Sequence, residues 1–470
     1  MPVFLLFKNS FFAIMCFERI DTMKKILLTF LTLVISISLV ACQDSGTVFE
    51  LVGKENVNYT INDEYSESGY IAKVDKKDVS GYVTVTNNID ETTDGDYVVT
   101  YKLKYNDIEE EITRNVYYRP EGCSVYGDSG ITQCYTQWTD YLDTLVKITV
   151  YYENNEYLNH DTYTQNVELL LDTYHKLSDK YNNYNGVINV KTINDNPTLL
   201  HQVDSKLFDL IKYTLDHQDD VDNLFNIALG PVLSIWHDYR EDCDDNSCSI
   251  PTMTELLAAN QFTDPSKVIL NEENSTVTMD ANMSLDLGGV SKGYISEILC
   301  NYLDSLNIHG YLLNNGQSNI SIGGDHPTRD EGKFIIGVTD PFSQTRCYED
   351  PFDQFCSVYS TVMIGDEDQL VTSGDYQKYF YSDGEIYHHI INPISLMPDH
   401  YSRSVTVISN GLHSGLLDMY STAIFTMPID EGIEFVNNID GLEAIWYGID
   451  SSIHYSANFE ELYNPILYMD

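Results

Sequence analysis

Asp418 and Thr422 stand four residues apart in Gly415-Leu416-Leu417-Asp418-Met419-Tyr420-Ser421-Thr422-Ala423-Ile424, where apolar residues recur at helical spacing. On a helix that spacing places a carboxylate and a hydroxyl on one face. With carbonyls from a nearby glycine turn they form an all-oxygen donor set, which hard cations such as Mg²⁺ or Ca²⁺ prefer. Leu285-Asp286-Leu287-Gly288-Gly289-Val290-Ser291-Lys292-Gly293-Tyr294 supplies a turn of that kind, followed by a helix starting near Ser291. Its glycines let the backbone approach a ligand, the helix N-terminus favours anions, and Lys292 adds a cation. A buried Asp acting as a local cap, and a packing glycine in a strand-to-helix turn, account for the same residues without any ligand.

Three further segments carry polar groups beside apolar runs. In residues 311–324, an apolar strand ends in the amide-rich turn Asn314-Asn315-Gly316-Gln317-Ser318-Asn319, suited to reading a heterocycle edge or to making an ordinary polar turn. Val371-Thr372-Ser373-Gly374-Asp375-Tyr376 precedes Tyr387-His388-His389-Ile390-Ile391-Asn392-Pro393. Two histidines in tandem cannot both face one side of a strand, so at most one points into a site. Phe225-Asn226-Ile227-Ala228-Leu229-Gly230-Pro231 opens an apolar, helix-like stretch running to Trp236.

The elements that must hold these groups fall into two regions. Residues 46–120 lack a helical pattern. Period-two runs at 82–86, 97–103 and 112–118, punctuated by Asn87-Asn88, Asp94-Gly95 and Asn106-Asp107, predict a β-sandwich. From about residue 121, helical patterns at 165–180, 206–217 and 285–303 interleave with strand-like runs at 144–151, 276–279, 308–313, 334–338 and 404–408. That interleaving predicts a mixed α/β or α+β domain.

Composition sets outer limits. The chain has 470 residues and a formal charge of −46, from 26 Lys+Arg against 72 Asp+Glu. Such a surface repels nucleic-acid phosphates, so polynucleotide binding is excluded as an expectation. An anionic ligand needs a cation beside it. Met23-Lys24-Lys25 followed by an apolar run to Val40, then Ala41-Cys42, reads as a secretory signal peptide over residues 1–41 whose sensible start is Met23. Apart from Cys16 and Cys42, six cysteines form local couples, 123/134, 243/248 and 347/356, which predict three disulfides in an oxidising compartment. Cys300, in an apolar helical pattern, reads as a buried free thiol.

Three resemblances add to this reading. Leu39-Val40-Ala41-Cys42 resembles a bacterial lipobox, which implies lipidation of Cys42 and a membrane-anchored protein facing the extracytoplasmic side. Residues 42–120, with Ser68-Gly69-Tyr70-Ile71-Ala72 and Gly95-Asp96-Tyr97-Val98-Val99-Thr100-Tyr101, resemble a tether plus a bacterial Ig-like module. Residues 121–470 resemble ApbE-type FAD:protein FMN transferases. The segments around Asp286 to Tyr294, Thr372 to Tyr376 and Asp418 to Thr422 are the most specific, joined by Leu177-Ser178-Asp179-Lys180-Tyr181-Asn182 and the Phe225 stretch.

This last resemblance implies an enzyme that moves FMN from FAD to a Thr or Ser hydroxyl of an acceptor protein and releases AMP. Mg²⁺, or Ca²⁺, would be held by Asp418, Thr422, the main chain at Gly289 and Ser421. Asp286, Lys292, Tyr181, Asn226, Ile390 and Thr372 would contact FAD, and His389 would act as base. The sequence departs from the family's pattern in four places. Asn226 and Asn392 stand where it has Asp, Ser395-Leu396 replaces a Thr-Gly pair, and Leu142-Asp143-Thr144 replaces Met-Gly-Thr. A flavin-binding or adhesive surface lipoprotein without turnover, and a metal-dependent FAD hydrolase, are the alternative expectations.

Overall fold

The computed structural model describes residues 46–243, 248–349, 353 and 355–468. Cys42 and the apolar leader lie outside the described residues. The chain divides between Arg119 and Pro120 into two compact units.

The first unit, in its described part, is built on strands. β1 (Thr47–Leu51), β3 (Tyr70–Val74) and β4 (Lys77–Asp78) form one sheet. β2 (Asn56–Thr60), β5 (Val83–Asn87), β6 (Gly95–Tyr105) and β7 (Ile108–Arg119) form a second, in the order β2-β7-β6-β5. β2 runs parallel to β7 and the other pairs are antiparallel. Alternation along β6 and β7 buries Val99, Tyr101, Val116 and Tyr118, and Phe49 and Tyr70 of the first sheet pack on them. The result is a two-sheet all-β module.

The second unit is organised by a nine-stranded antiparallel sheet. Its strands are β8 (Cys123–Val125), β9 (Thr132–Tyr141), β10 (Thr144–Tyr152), β11 (Gly310–Asn315), β12 (Asn319–Gly324), β13 (Asp368–Gly374), β14 (Ser402–Asn410), β15 (Leu442–Gly448) and β16 (Ile453–Tyr455). Each lies beside its predecessor, so chain order is sheet order, with helices and smaller strands inserted between. Period-two alternation sends residues to two cores. Leu442, Ala444 and Trp446 of β15 face one, while Ile445 and Tyr447 face the other.

The first core lies under a helical layer: α1 (His160–Ser178), α2 (Ser205–Asp216), α4 (Ser291–Asp304), α5 (Ser414–Phe425) and α6 (Ile429–Asn437), whereas α3 (Gly230–Glu241) packs through Val232 and Trp236 in a separate apolar cluster. α4 and α5 pack on each other, α5 lies on β13 and β14, and α4 lies on β12. Their close approach depends on Gly293. A Cβ there would sit 2.2 Å from the carbonyl oxygen of Ser414. The second core lies between the large sheet and a small one formed by Phe334–Thr339, Val358–Ile364 and Ile466–Leu467.

The stretch from Phe225 is helical only from Gly230. Asn226 accepts the Ala228 N–H at 2.8 Å and closes a side-chain turn, and Pro231 sits in the first turn of α3. Disulfides join Cys123 to Cys134, Cys243 to Cys248 and Cys347 to Cys356, and Cys300 is a buried free thiol. Among the described residues, no helix is long and apolar enough to cross a membrane.

Candidate active site

Three turns at one end of the large sheet open onto a cavity of about 400 Å³: the β9–β10 turn at Leu142-Asp143, the β11–β12 turn at Gly316, and the end of β13 at Thr372–Gly374. The N-terminal end of α4, the middle of α5 and one side of α3 complete the wall.

Asp418 and Thr422 both line this cavity from α5, one turn apart. Asp418 also does structural work. Its Oδ2 accepts the Gly293 N–H at 2.7 Å, capping α4, a helix whose N-cap residue Val290 offers no side-chain bond. Its Oδ1 accepts Asn319 Nδ2 at 3.0 Å. Lys292 Nζ donates to Ser318 Oγ at 2.6 Å, and Ser318 Oγ donates to Asn319 Oδ1 at 2.9 Å, so a hydrogen-bonded chain connects the cation to the carboxylate. Burial pushes the Asp418 carboxyl above its ordinary value, against the pull of Lys292, Asn319 and the Gly293 amide. Burial likewise lowers the Lys292 ammonium, with Asp418 opposing.

The turn before α4 is equally close-fitting. A Cβ on Gly289 would lie 2.8 Å from the Phe225 ring and 3.3 Å from Thr422 Oγ1, so only glycine brings this backbone up to the α5 hydroxyl. Ser421 is placed differently. It is fully buried, does not line the cavity, and directs its hydroxyl to the Asp418 carbonyl at 3.1 Å and Ser373 Oγ at 2.9 Å. Asn315 and Asn319 are also fully buried and outside the lining. Asn315 holds Lys292 O and Ser296 Oγ, and Asn319 orients Asp418, so these amides brace the site from behind rather than face a ligand.

Asp286, Lys292, Tyr181, Asn226, Ile390, Thr372, Gly289 and His389 all lie in the lining. Asp286 pairs with Lys180 at 2.5 Å and accepts the Gly288 N–H at 2.8 Å. Burial opposes both charges of the pair, yet mutual attraction wins: the carboxyl is lowered and the ammonium raised. Asp179 organises the adjoining loop by accepting the N–H groups of Tyr181 (2.6 Å) and Asn182 (3.1 Å). Lys180 lies 4.9 Å over the Tyr181 ring, and Tyr181 stays half exposed at the mouth.

The tandem histidines separate as their spacing requires. His388 is buried with Nε2 on the Asp399 carbonyl at 2.7 Å. His389 faces the cavity, and its Nδ1 has no hydrogen-bond partner among the described residues. Burial, then the neighbouring His388 and the cations Lys378, Lys292 and Arg240, lower its ring to about 3. At neutral pH the ring is therefore a neutral acceptor.

Sequence reading assigned no role to Lys180, Arg240 or Lys378, which also line the cavity. Lys180 lies in the segment 177–182 that carries part of the family resemblance, but nothing in the sequence distinguishes the other two. Lys180, Arg240, Lys292 and Lys378 face Asp143, Asp179, Asp286 and Asp418, four charges of each sign. In a chain of −46 the cavity is locally balanced, which makes it the favourable place for a polyanion.

The ApbE family model matches residues 142–446. The chain belongs to the ApbE family. It is 29% identical over 247 residues to the FAD:protein FMN transferase of Klebsiella pneumoniae, covering 52% of this chain and 70% of that protein. It is 25% identical over 268 residues to the FAD:protein FMN transferase of Treponema pallidum, covering 54% and 69%. Among solved structures, the ApbE protein of Thermotoga maritima superposes with a TM-score of 0.58 at 24% identity, covering 70% of this chain and 99% of that one. The flavin transferase ApbE of Vibrio cholerae gives 0.56 at 20%, with coverages of 70% and 99%. At these identities the structures show the fold.

Within this ApbE-family chain the four departures have local accounts. Asn226 Nδ2 donates to the Thr263 carbonyl at 2.8 Å, where an aspartate would place a carboxylate against a carbonyl. Asn392 Nδ2 donates to Asp399 Oδ2 at 2.7 Å and its Oδ1 accepts the Ile394 N–H at 2.8 Å, so the amide pins its loop. Where the family pattern has glycine, Asp143 and Leu396 keep positive φ, +52° and +63°. That is the left-handed region glycine adopts freely, so these two side chains carry local strain.

Proposed function

We propose that this chain is a transferase that moves FMN from FAD to a Ser or Thr hydroxyl of an acceptor protein and releases AMP. The observation that carries this reading is one cavity, charge-balanced within an acidic chain, that joins the Gly288-Gly289 turn, Lys292, Asp418, Thr422 and the His389 ring. The FMN transferase names of the sequence relatives point the same way.

In the reaction, the acceptor oxygen attacks the FMN-side phosphorus of the pyrophosphate. The bond from that phosphorus to the bridging oxygen breaks, and AMP leaves with that oxygen. The hydroxyl proton goes to the His389 ring. Lys292 and Lys180 attract the pyrophosphate, and the Lys180–Asp286 pair holds the Tyr181 loop against the flavin nucleotide. Transfer of this kind rests on positioning and charge neutralisation more than on covalent chemistry.

The donor set suits a hard divalent cation. Asp418 is a buried carboxylate whose burial disfavours its charge, so a cation beside it relieves a cost already present. Asp418, Thr422 and the Gly289 main chain would hold Mg²⁺, or Ca²⁺, with Ser421 bracing Asp418. When bound, the ion supplies neutralisation of pyrophosphate charge. The Cys42 motif and the three disulfides support secretion, lipid anchoring at Cys42 and an extracytoplasmic face, with the strand module, read as Ig-like, as a spacer.

The test is in-gel flavin fluorescence of an acceptor protein after incubation with the full chain, FAD and Mg²⁺. Covalent flavin on the acceptor is expected. FAD bound without transfer would leave a flavin-binding protein, and FMN plus AMP formed without acceptor would leave a hydrolase. Fatty-acid labelling that is lost in Cys42→Ser tests the anchor.

A further inference from the structure

A second concavity adjoins the first. It is an open groove of about 900 Å³ lined from the loop after α2, from residues 392–401, from the end of α5 and from α6. The two share Leu224, and the loop at Asn392-Pro393-Ile394 forms part of both walls: Pro393 lines the cavity, while Asn392 and Ile394 line the groove. That loop is held in place by Asn392, as described above.

The groove's chemistry differs from its neighbour's. Its charged residues are Asp220, Asp222, Glu431 and Glu434, with no Lys, Arg or His in the lining. All four are exposed. Asp220 is paired with His217, at 2.8 Å. Asp222, Glu431 and Glu434 make no ion pair among the described residues. Apolar surface lies between them: Ile394 is 70% exposed and Tyr401 42%, a large share for residues beside a catalytic cavity.

We propose that this groove docks the acceptor polypeptide, by a segment that carries Lys or Arg next to apolar side chains and flanks the hydroxyl residue to be modified. This deepens, and rests on, the transferase reading above. Continuity places the groove where a chain entering the cavity through one hydroxyl must continue. Charge selects the occupant. The balanced cavity accepts the nucleotide, whereas the all-acidic groove repels it and attracts a cationic segment. A second copy of this chain is disfavoured by its own −46 charge.

The experiment uses the full chain and two synthetic acceptor peptides that differ only in flanking residues, one Lys-rich and one Glu-rich. Transfer kinetics are measured for wild type and for the triple variant Asp222→Asn, Glu431→Gln, Glu434→Gln. The wild type is expected to favour the Lys-rich peptide. The triple variant should raise its acceptor KM about tenfold, with kcat and the KM for FAD unchanged, and flatten the salt dependence. Glu431→Lys with Glu434→Lys should shift preference toward the Glu-rich peptide. An unchanged acceptor KM in both variants, with native melting temperatures, overturns the proposal. Peptide binding is also read by fluorescence anisotropy. If wild type binds the Lys-rich peptide preferentially but transfers no FMN, the transferase reading fails and the groove assignment survives. If transfer occurs without peptide preference, the reverse holds.

Discussion

Replacing Asp418 by Asn separates its two roles. The amide keeps an oxygen for the Gly293 N–H, so the α4 cap persists. Its NH₂ then meets Asn319 Nδ2, and one hydrogen bond worth about 1 kcal/mol is lost. Against that loss stands removal of a buried carboxylate whose carboxyl is already pushed up from 3.8. A raised folded-state value means the folded protein binds more protons than the unfolded chain just above 3.8. Stability from this group is therefore present at low pH and lost as pH rises through the raised value. At neutral pH the metal-free variant should melt within about 1 kcal/mol of wild type, and it should lack this acid-side component. Mg²⁺ at a hundredfold its dissociation constant stabilises the protein it binds by about 2.7 kcal/mol. The second unit spans 351 residues, 120 to 470. At about 2.1 cal/mol/K per residue its unfolding entropy is about 0.7 kcal/mol/K, so the shift is about 4 °C. Differential scanning fluorimetry with and without Mg²⁺ should show that shift in wild type and none in Asp418→Asn, while flavin transfer falls at least about a hundredfold. A variant that keeps both the Mg²⁺ shift and the transfer rate would refute the metal assignment.

His389→Gln should cut transfer about 10²- to 10⁴-fold while leaving FAD affinity within about twofold, as read by flavin fluorescence quenching. Lys180→Met leaves Asp286 in the cavity wall without its partner and should cost about 2 kcal/mol in urea denaturation, along with weaker FAD binding. Buried His388 and His326, each lowered from 6.5 to about 4 mainly by burial, protonate more readily in the unfolded chain. Each should remove about 1.4 kcal/mol per pH unit as pH falls from 6.5 toward 4, a slope that pH-dependent denaturation would resolve. Asp143→Gly should raise stability by about 1 kcal/mol by relieving a positive φ, whereas Leu396→Gly should lower it by about 2 kcal/mol or more, because Leu396 is only 1% exposed in an apolar cluster.

Local chemistry determined much of this protein without reference to tertiary structure. Period-two runs placed β5, β6 and β7, and the helical spacing of 415–424 placed α5, because exposed and buried faces of one element repeat at its own period. The cysteine couples paired as their short separations suggested. The i, i+4 spacing put Asp418 and Thr422 on one wall. The Gly288-Gly289 turn led into a helix at Ser291. Long-range contacts decided the rest. Ser421 sits between two residues that line the cavity or lie next to them in sequence, yet Ser373, 48 residues away, draws its hydroxyl aside. Asn319 orients a carboxylate 99 residues distant. Arg240 and Lys378 reach the cavity only because α3 and the segment after β13 converge there. The depressed ring of His389 arises from burial, from the adjacent His388 and from three cations that three separate segments contribute. Spacing along the chain fixes which face a residue shares with its neighbours. Which distant groups meet that face, and so its charge, hydrogen bonding and proton affinity, is set only when the sheet and helices close around it.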